Sequence, residues 1–189
     1  STSTLEAVHT PHERYPLGMP NTERPKKPRG PISSDALPWR DWKRGERFGG
    51  RVRALSEQFG DGGHVGVYME ELPPGKQSCP AHYHMQEEEH ILILEGELTL
   101  RLGDERHPMR AGDYACFPAG QTAGHCLINE GQSACRYIVI GENKPHDTCV
   151  YTDSNKVMIR SPGVRRVLDQ FATRDYWDGE REDEPLTSQ

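Results

Sequence analysis

Two histidines one residue apart, followed by a glutamate five positions on, form the segment of this 189-residue chain best suited to chemistry. On an extended strand His82 and His84 project from one face while Tyr83 points the other way. Glu89 has the wrong parity for an unbroken strand. The polar stretch from Met85 to Glu88 can loop and reset the register, returning the carboxylate to the same interior. Two imidazoles and a carboxylate suit a divalent transition metal, and three protein ligands leave positions open for substrate. A second block, Gly112 to Asn129, supplies a strand, the turn Pro118-Ala119-Gly120, and then His125 entering the next strand.

The elements that must position these residues are short strands. From Arg51 onward, turn signals recur between strands expected near 51–58, 65–72, 90–94, 97–102, 113–117, 124–128, 135–140, 147–151 and 155–160, the pattern of a sandwich or barrel. Glu97-Leu98-Thr99-Leu100-Arg101-Leu102 alternates, so its leucines face a core, and Gly103-Asp104 supplies a tight hairpin. Ile91-Leu92-Ile93-Leu94 and Tyr137-Ile138-Val139-Ile140 do not alternate, which predicts cover on both faces. Leu92 and Leu94 share one face, Ile91 and Ile93 the other; which pair faces outward stays open.

Before the strands, seven of the fifteen prolines fall within the first 38 residues, so residues 1–50 read as a Pro-rich arm. It is either a leader without fixed structure or a strap over the body or a second subunit, anchored by Trp39 and Trp42. The arm carries nine basic and six acidic residues against five and eleven in 65–140. After a barrel over 51–160, Ser161-Pro162 suits a helix start, and Val164, Val167, Leu168 and Phe171 recur at i, i+3, i+4 and i+7. Residues 161–189 therefore read as a short amphipathic helix and an acidic tail.

Composition narrows the function. A net charge of −6 without a long basic run argues against nucleic acid as a partner, and no apolar stretch approaches a membrane span. Five cysteines without a Cys-x-x-Cys pair, and no visible signal peptide, lead to the expectation of a reduced, soluble, cytoplasmic protein.

Both histidine-bearing blocks resemble the signature motifs of the cupin superfamily. His82-x-His84, four residues, Glu89, six residues and Gly96 match the first motif; Gly112, five residues and Pro118-x-Gly120, then His125, three residues and Asn129, match the second. Fifteen residues separate the motifs, as in compact single-domain bacterial members, and the resemblance covers roughly residues 60–145. There are two departures. Gly75 stands one residue too far from His82, and four residues rather than two separate Gly120 from His125, leaving Ala123 at the strict position. Either the turn is longer, or the site has lost this ligand; the retained offset of Asn129 favours the longer turn.

The resemblance implies an all-β fold, a single antiparallel cupin barrel (a double-stranded β-helix or jelly roll). It implies one divalent metal per chain, Fe, Mn, Ni, Co or Zn, held by His82, His84, Glu89 and His125. The expected function is a metal-dependent enzyme on a small polar or anionic molecule, an Fe(II) dioxygenase or a metal-assisted isomerase or lyase. The alternative is a non-catalytic sensor of a sugar or small metabolite. A homodimer is expected from the non-alternating strands.

The remaining candidates read as structural. Glu87 and Glu88 could offer alternative carboxylates but better suit a solvated charged loop, His90 faces away from the metal, and His64, His107 and His146 sit among turns. Cys79 could be a reactive thiol, though nothing nearby lowers its pKa. Cys116, Cys126 and Cys135 fit small core positions. Tyr68, Tyr83 and Tyr137 suit a core or pocket wall, and Arg101, Arg110 and Arg136 read as exposed strand residues.

Overall fold

Thirteen strands fold into two antiparallel sheets in the computed structural model, which describes residues 30–56 and 63–180. In chain order they are β1 (Arg40–Arg44), β2 (Phe48–Ala54), β3 (Val65–Leu72), β4 (His82–His84), β5 (Glu89–Glu95), β6 (Glu97–Leu102), β7 (Glu105–Arg110), β8 (Tyr114–Phe117), β9 (His125–Ile128), β10 (Cys135–Glu142), β11 (Asp147–Tyr151), β12 (Lys156–Ser161) and β13 (Val164–Asp169). One sheet runs β1-β2-β3-β10-β5-β8 and the other β13-β12-β11-β4-β9-β6-β7. The expected all-β barrel is the observed fold.

The core lies between the sheets because strand alternation aims one side-chain set inward from each. Leu72, Ile91, Ile93, Cys135, Tyr137 and Val139 from the first sheet meet Leu98, Leu100, Met109 and Leu127 from the second. On β5 the inward residues are Glu89, Ile91 and Ile93, while Leu92 and Leu94 face out, 38% and 41% exposed. Met69, Ile138, Leu92 and Tyr114 stand in register across β3, β10, β5 and β8, on the outer side of that sheet.

Residues 1–29, 57–62 and 181–189 lie outside the described residues, and with them most of the arm and the end of the acidic tail. Within the described part the sheet begins earlier than residue 51. Trp42 of β1 is buried with Val52, Ala54 and Tyr68, and Trp39 lies under the guanidinium groups of Arg51 and Arg53 at 4.6 and 4.4 Å from its ring centre.

The C-terminal helix is a correction. Val164–Asp169 is strand β13, paired with β12 from Ser161↔Val164 to Lys156↔Asp169. Pro162-Gly163, with Gly163 at φ 74, turns the chain back, and the open edge of β12 offers a ladder partner. The apolar spacing found no surface to bury a helix face: Val167 and Phe171 are 55% and 68% exposed. Strand β7 escaped the sequence reading because Pro108 and four charged or histidine neighbours mask it. It is the last strand of its sheet, where proline is tolerated.

Gly96 closes the β5–β6 turn at φ 79, and a β-carbon there would sit 2.9 Å from the Ala134 carbonyl oxygen. Left-handed backbone costs a side-chain-bearing residue about 1–2 kcal/mol before the clash is counted. Gly96→Ala should therefore lower the urea midpoint by an amount equivalent to roughly 2 kcal/mol. An unchanged midpoint would show that the turn relaxes freely.

Candidate metal centre

His82 and His125 face each other because β4 and β9 pair at this one position. Their ring centroids are 4.8 Å apart, and His84 lies 5.0 Å from His82, nearly perpendicular to it. Glu89 enters from the opposite sheet at the start of β5. One of its carboxylate oxygens is 3.8 Å from His125 Nε2 and 4.0 Å from His84 Nε2. Ligand atoms of His82, Glu89 and His125 all lie within 4.8 Å of one another. All four residues nominated from the sequence thus converge inside the barrel.

The histidine rings are oriented for coordination. His82 Nδ1 lies 2.9 Å from the Pro80 carbonyl, and His84 Nδ1 lies 2.6 Å from Asp147 Oδ2. An Nδ1–H donated outward leaves each Nε2 lone pair facing the centre, the arrangement that metal-binding histidines show. His125 stacks flat on Phe117, centroids 3.7 Å apart, and neither of its ring nitrogens makes a hydrogen bond. A buried imidazole in that condition fits a metal ligand better than a satisfied core histidine. Around an ion with bonds of about 2.1 Å, donors stand roughly 3.0–3.4 Å apart, so the residues fit after a small contraction.

Beside the centre sits a second buried charged group that the sequence reading missed. Asp147, at the first position of β11, accepts from His84 and from the Gln86 amide (3.1 Å). Glu87 is a correction: it is buried rather than part of a solvated loop, paired with Arg160 and accepting from the Lys144 amide at 2.7 Å. The Arg160 guanidinium supplies a cation to this acidic corner. Burial disfavours a charged His84, yet the Asp147 hydrogen bond and the carboxylates of Glu89, Asp147 and Glu87 outweigh it and raise the imidazole pKa. Burial likewise opposes the Asp147 carboxylate, but His84, the Gln86 amide and Arg160 hold its pKa down. No signal in the sequence pointed to it: β11 runs beside β4, with Cys149 opposite His84, and sequence spacing does not reveal cross-strand partners 63 residues apart.

A narrow pocket next to the centre, with room for about one water, is lined by Glu70, Glu89, His125 and Tyr137 among others. Tyr137 Oη donates to Glu70 Oε2 at 3.0 Å, both residues being buried. Cys79 is buried and its thiol pKa is pushed well up by desolvation, so it is no reactive nucleophile. Asn129 is structural: its Nδ2 bonds the Leu72 and Ser133 carbonyls, and its Oδ1 accepts from the Gly131 amide. Arg101 and Arg136 form surface ion pairs with Asp153 and with Glu71 and Glu95. Among the described residues no helix is long and apolar enough to cross a membrane.

A small double-sheet barrel with an inward cluster of histidines and a carboxylate defines a class of protein, and comparison with known families agrees. Residues 68–141 match the family model of the cupin domain. Residues 68–141 are thus similar to a cupin domain, and the barrel around them has the cupin fold. A sugar phosphate isomerase structure of the cupin superfamily from Silicibacter pomeroyi superposes with TM-score 0.67 at 27% identity, covering 84% of this chain and 98% of that one. A structure from Acidithiobacillus ferrooxidans, provisionally assigned as a sugar phosphate isomerase, gives TM-score 0.63 at 28% identity over 67% and 80% of the two chains. Quercetin 2,3-dioxygenase of Bacillus subtilis is 49% identical over 86 residues, which is 40% of this chain and 26% of the dioxygenase.

Proposed function

We propose that this chain is a metal-dependent enzyme acting on a small polar or anionic organic molecule, with His82, His84, Glu89 and His125 holding one divalent ion. The observation that carries the reading is the inward convergence of these four residues, with the Nδ1 atoms of His82 and His84 engaged on the far side. When bound, such an ion supplies Lewis-acid polarisation of a substrate oxygen or, as iron, a site for dioxygen. The protein's own groups supply the rest. Phe117 closes one side of the centre against water by lying flat on His125. Glu70 offers a carboxylate oxygen in the adjoining pocket to receive a proton, and the Tyr137 hydroxyl holds that carboxylate in place.

This buried proton-accepting pair favours isomerase or lyase chemistry, in line with the likeness to a sugar phosphate isomerase over most of both chains. Dioxygenase chemistry is the second reading, favoured by the 49% identity to the quercetin enzyme over a short span. Two assays on metal-loaded protein separate them. Solvent deuterium entering a sugar phosphate supports the first, and oxygen uptake over phenols and small acids supports the second. Binding without turnover in both assays would favour the sensing alternative.

A homodimer belongs to the same reading. The outward row of Met69, Ile138, Leu92 and Tyr114 gives a second copy an apolar face to cover. Light scattering should give twice the 21.4 kDa chain mass, and Leu92→Glu should return it to the monomer value. A wild-type monomer at working concentrations sinks this part.

A further inference from the structure

Cys116 was expected in the core and is instead exposed on β8, while the other four cysteines are buried. It stands directly across from His90 in the β5·β8 ladder. Glu88 and His90 flank Glu89, so strand alternation sends Glu89 inward and the other two outward. The ligand atoms of Glu88, His90 and Cys116 lie within 4.8 Å of one another.

We propose that this outer face carries a second metal site, distinct from the barrel interior, in which Glu88, His90 and Cys116 bind a zinc-like divalent ion.

Three features build the site. The Tyr114 hydroxyl lies 2.6 Å from His90 Nδ1, with the two rings stacked, so the imidazole is held with Nε2 toward Glu88 Oε1 at 2.9 Å. This is the outer-shell hydrogen bond that fixes a ligating imidazole. Glu88 is set by a reciprocal pair of bonds to Glu142: its amide donates to Glu142 Oε2 (2.9 Å), and its carbonyl accepts from the Glu142 amide (3.0 Å). The third feature is the donor set, one nitrogen, one oxygen and one sulfur, which selects a borderline-soft ion such as Zn(II), Cd(II) or Co(II) over Mg(II) or Ca(II). Donors around such an ion stand roughly 3.3–3.6 Å apart, within reach of side chains that are partly free in solvent. Water, or a donor from the second copy that covers the neighbouring Leu92 and Tyr114, completes the coordination.

Occupancy would matter to the fold. β8 is a four-residue strand at the end of its sheet, and the ion would tie it to β5. The next residue along β8 is Phe117, whose ring seats His125, so the outer ion would hold the strand that positions an inner ligand.

The test is cobalt(II) titration of reduced, metal-free, full-length protein. The expected result is a near-ultraviolet thiolate-to-cobalt charge-transfer band, and about two equivalents bound if the interior also loads. Cys116→Ser and His90→Ala, both on the surface, should each remove the band and one equivalent, whereas His82→Ala should keep the band. Uptake of a single equivalent whose band vanishes in Cys116→Ser would support the outer site and count against the inner one. The proposal is overturned by saturation without a charge-transfer band. It is also overturned by a band that survives Cys116→Ser and disappears in Cys149→Ser, because Cys149 lies beside His82 and His84.

Discussion

His82→Ala and His84→Ala are each expected to strip the interior site of nearly all its metal, from about one ion per chain to a small fraction of that. The two side chains supply ring nitrogens from one short strand, and no other described histidine on β4 or its neighbours β9 and β11 stands ready to replace them except His125, already counted. His125→Ala should weaken affinity and alter a cobalt spectrum; Ala123→Ser should change neither. Metal analysis after dialysis reads the outcome directly, with the cobalt charge-transfer band tracking the outer site separately. Unchanged occupancy in both His82→Ala and His84→Ala would remove the interior centre. Acid should also empty it, because an imidazole must be neutral to coordinate. His84 holds its proton to higher pH than an ordinary imidazole near 6.5, so competition begins early as pH falls.

The proposed ligands could be picked out in the sequence because metal binding would constrain both residue type and spacing, and because the cupin resemblance implies the set of four. A His-x-His pair needs a strand, a carboxylate five residues later needs an intervening loop, and the two-residue extension before His125 preserves strand parity; the geometry satisfied each condition. Strand positions were legible for a similar reason: β6 alternates, and β3 and β11 occupy the expected residues. What the sequence concealed depends on partners distant along the chain. The C-terminal segment carries helical spacing, yet the free edge of β12 and the Pro162-Gly163 turn made it a strand. Glu87 reads as one of three identical acids, and only Arg160 and the Lys144 amide distinguish it as buried. Cys116 alternates with Phe117, so burying one exposes the other, an inference that required knowing which face of β8 meets the core.

Asp147→Ala should lower interior metal affinity by roughly 10- to 100-fold without touching a ligand. The Asp147 carboxylate is 1% exposed and orients His84 through a 2.6 Å contact; without it the ring can rotate and Nε2 loses its aim. The substitution also leaves His84 Nδ1 short of an acceptor in a buried corner, a loss of about 1–3 kcal/mol if water does not enter, and it removes the acceptor of the part-buried Gln86 amide bond. The pH dependence of stability separates this pair from simple packing. A histidine whose pKa rises on folding adds stability below its unfolded value near 6.5, and loses it as pH climbs through the raised value. A carboxylate whose pKa falls on folding adds stability above its unfolded value near 3.9, and loses it as pH drops through the lowered value. Both contributions are therefore fully present between about pH 4 and 6.5 in the metal-free protein. The gap in urea midpoint between wild type and Asp147→Ala should be widest in that window and should shrink toward alkaline pH. Asp147→Asn, which keeps an acceptor oxygen but no charge, should recover much of the metal affinity and little of the pH dependence. A gap constant with pH, together with wild-type metal affinity in Asp147→Ala, would reduce Asp147 to a packing residue.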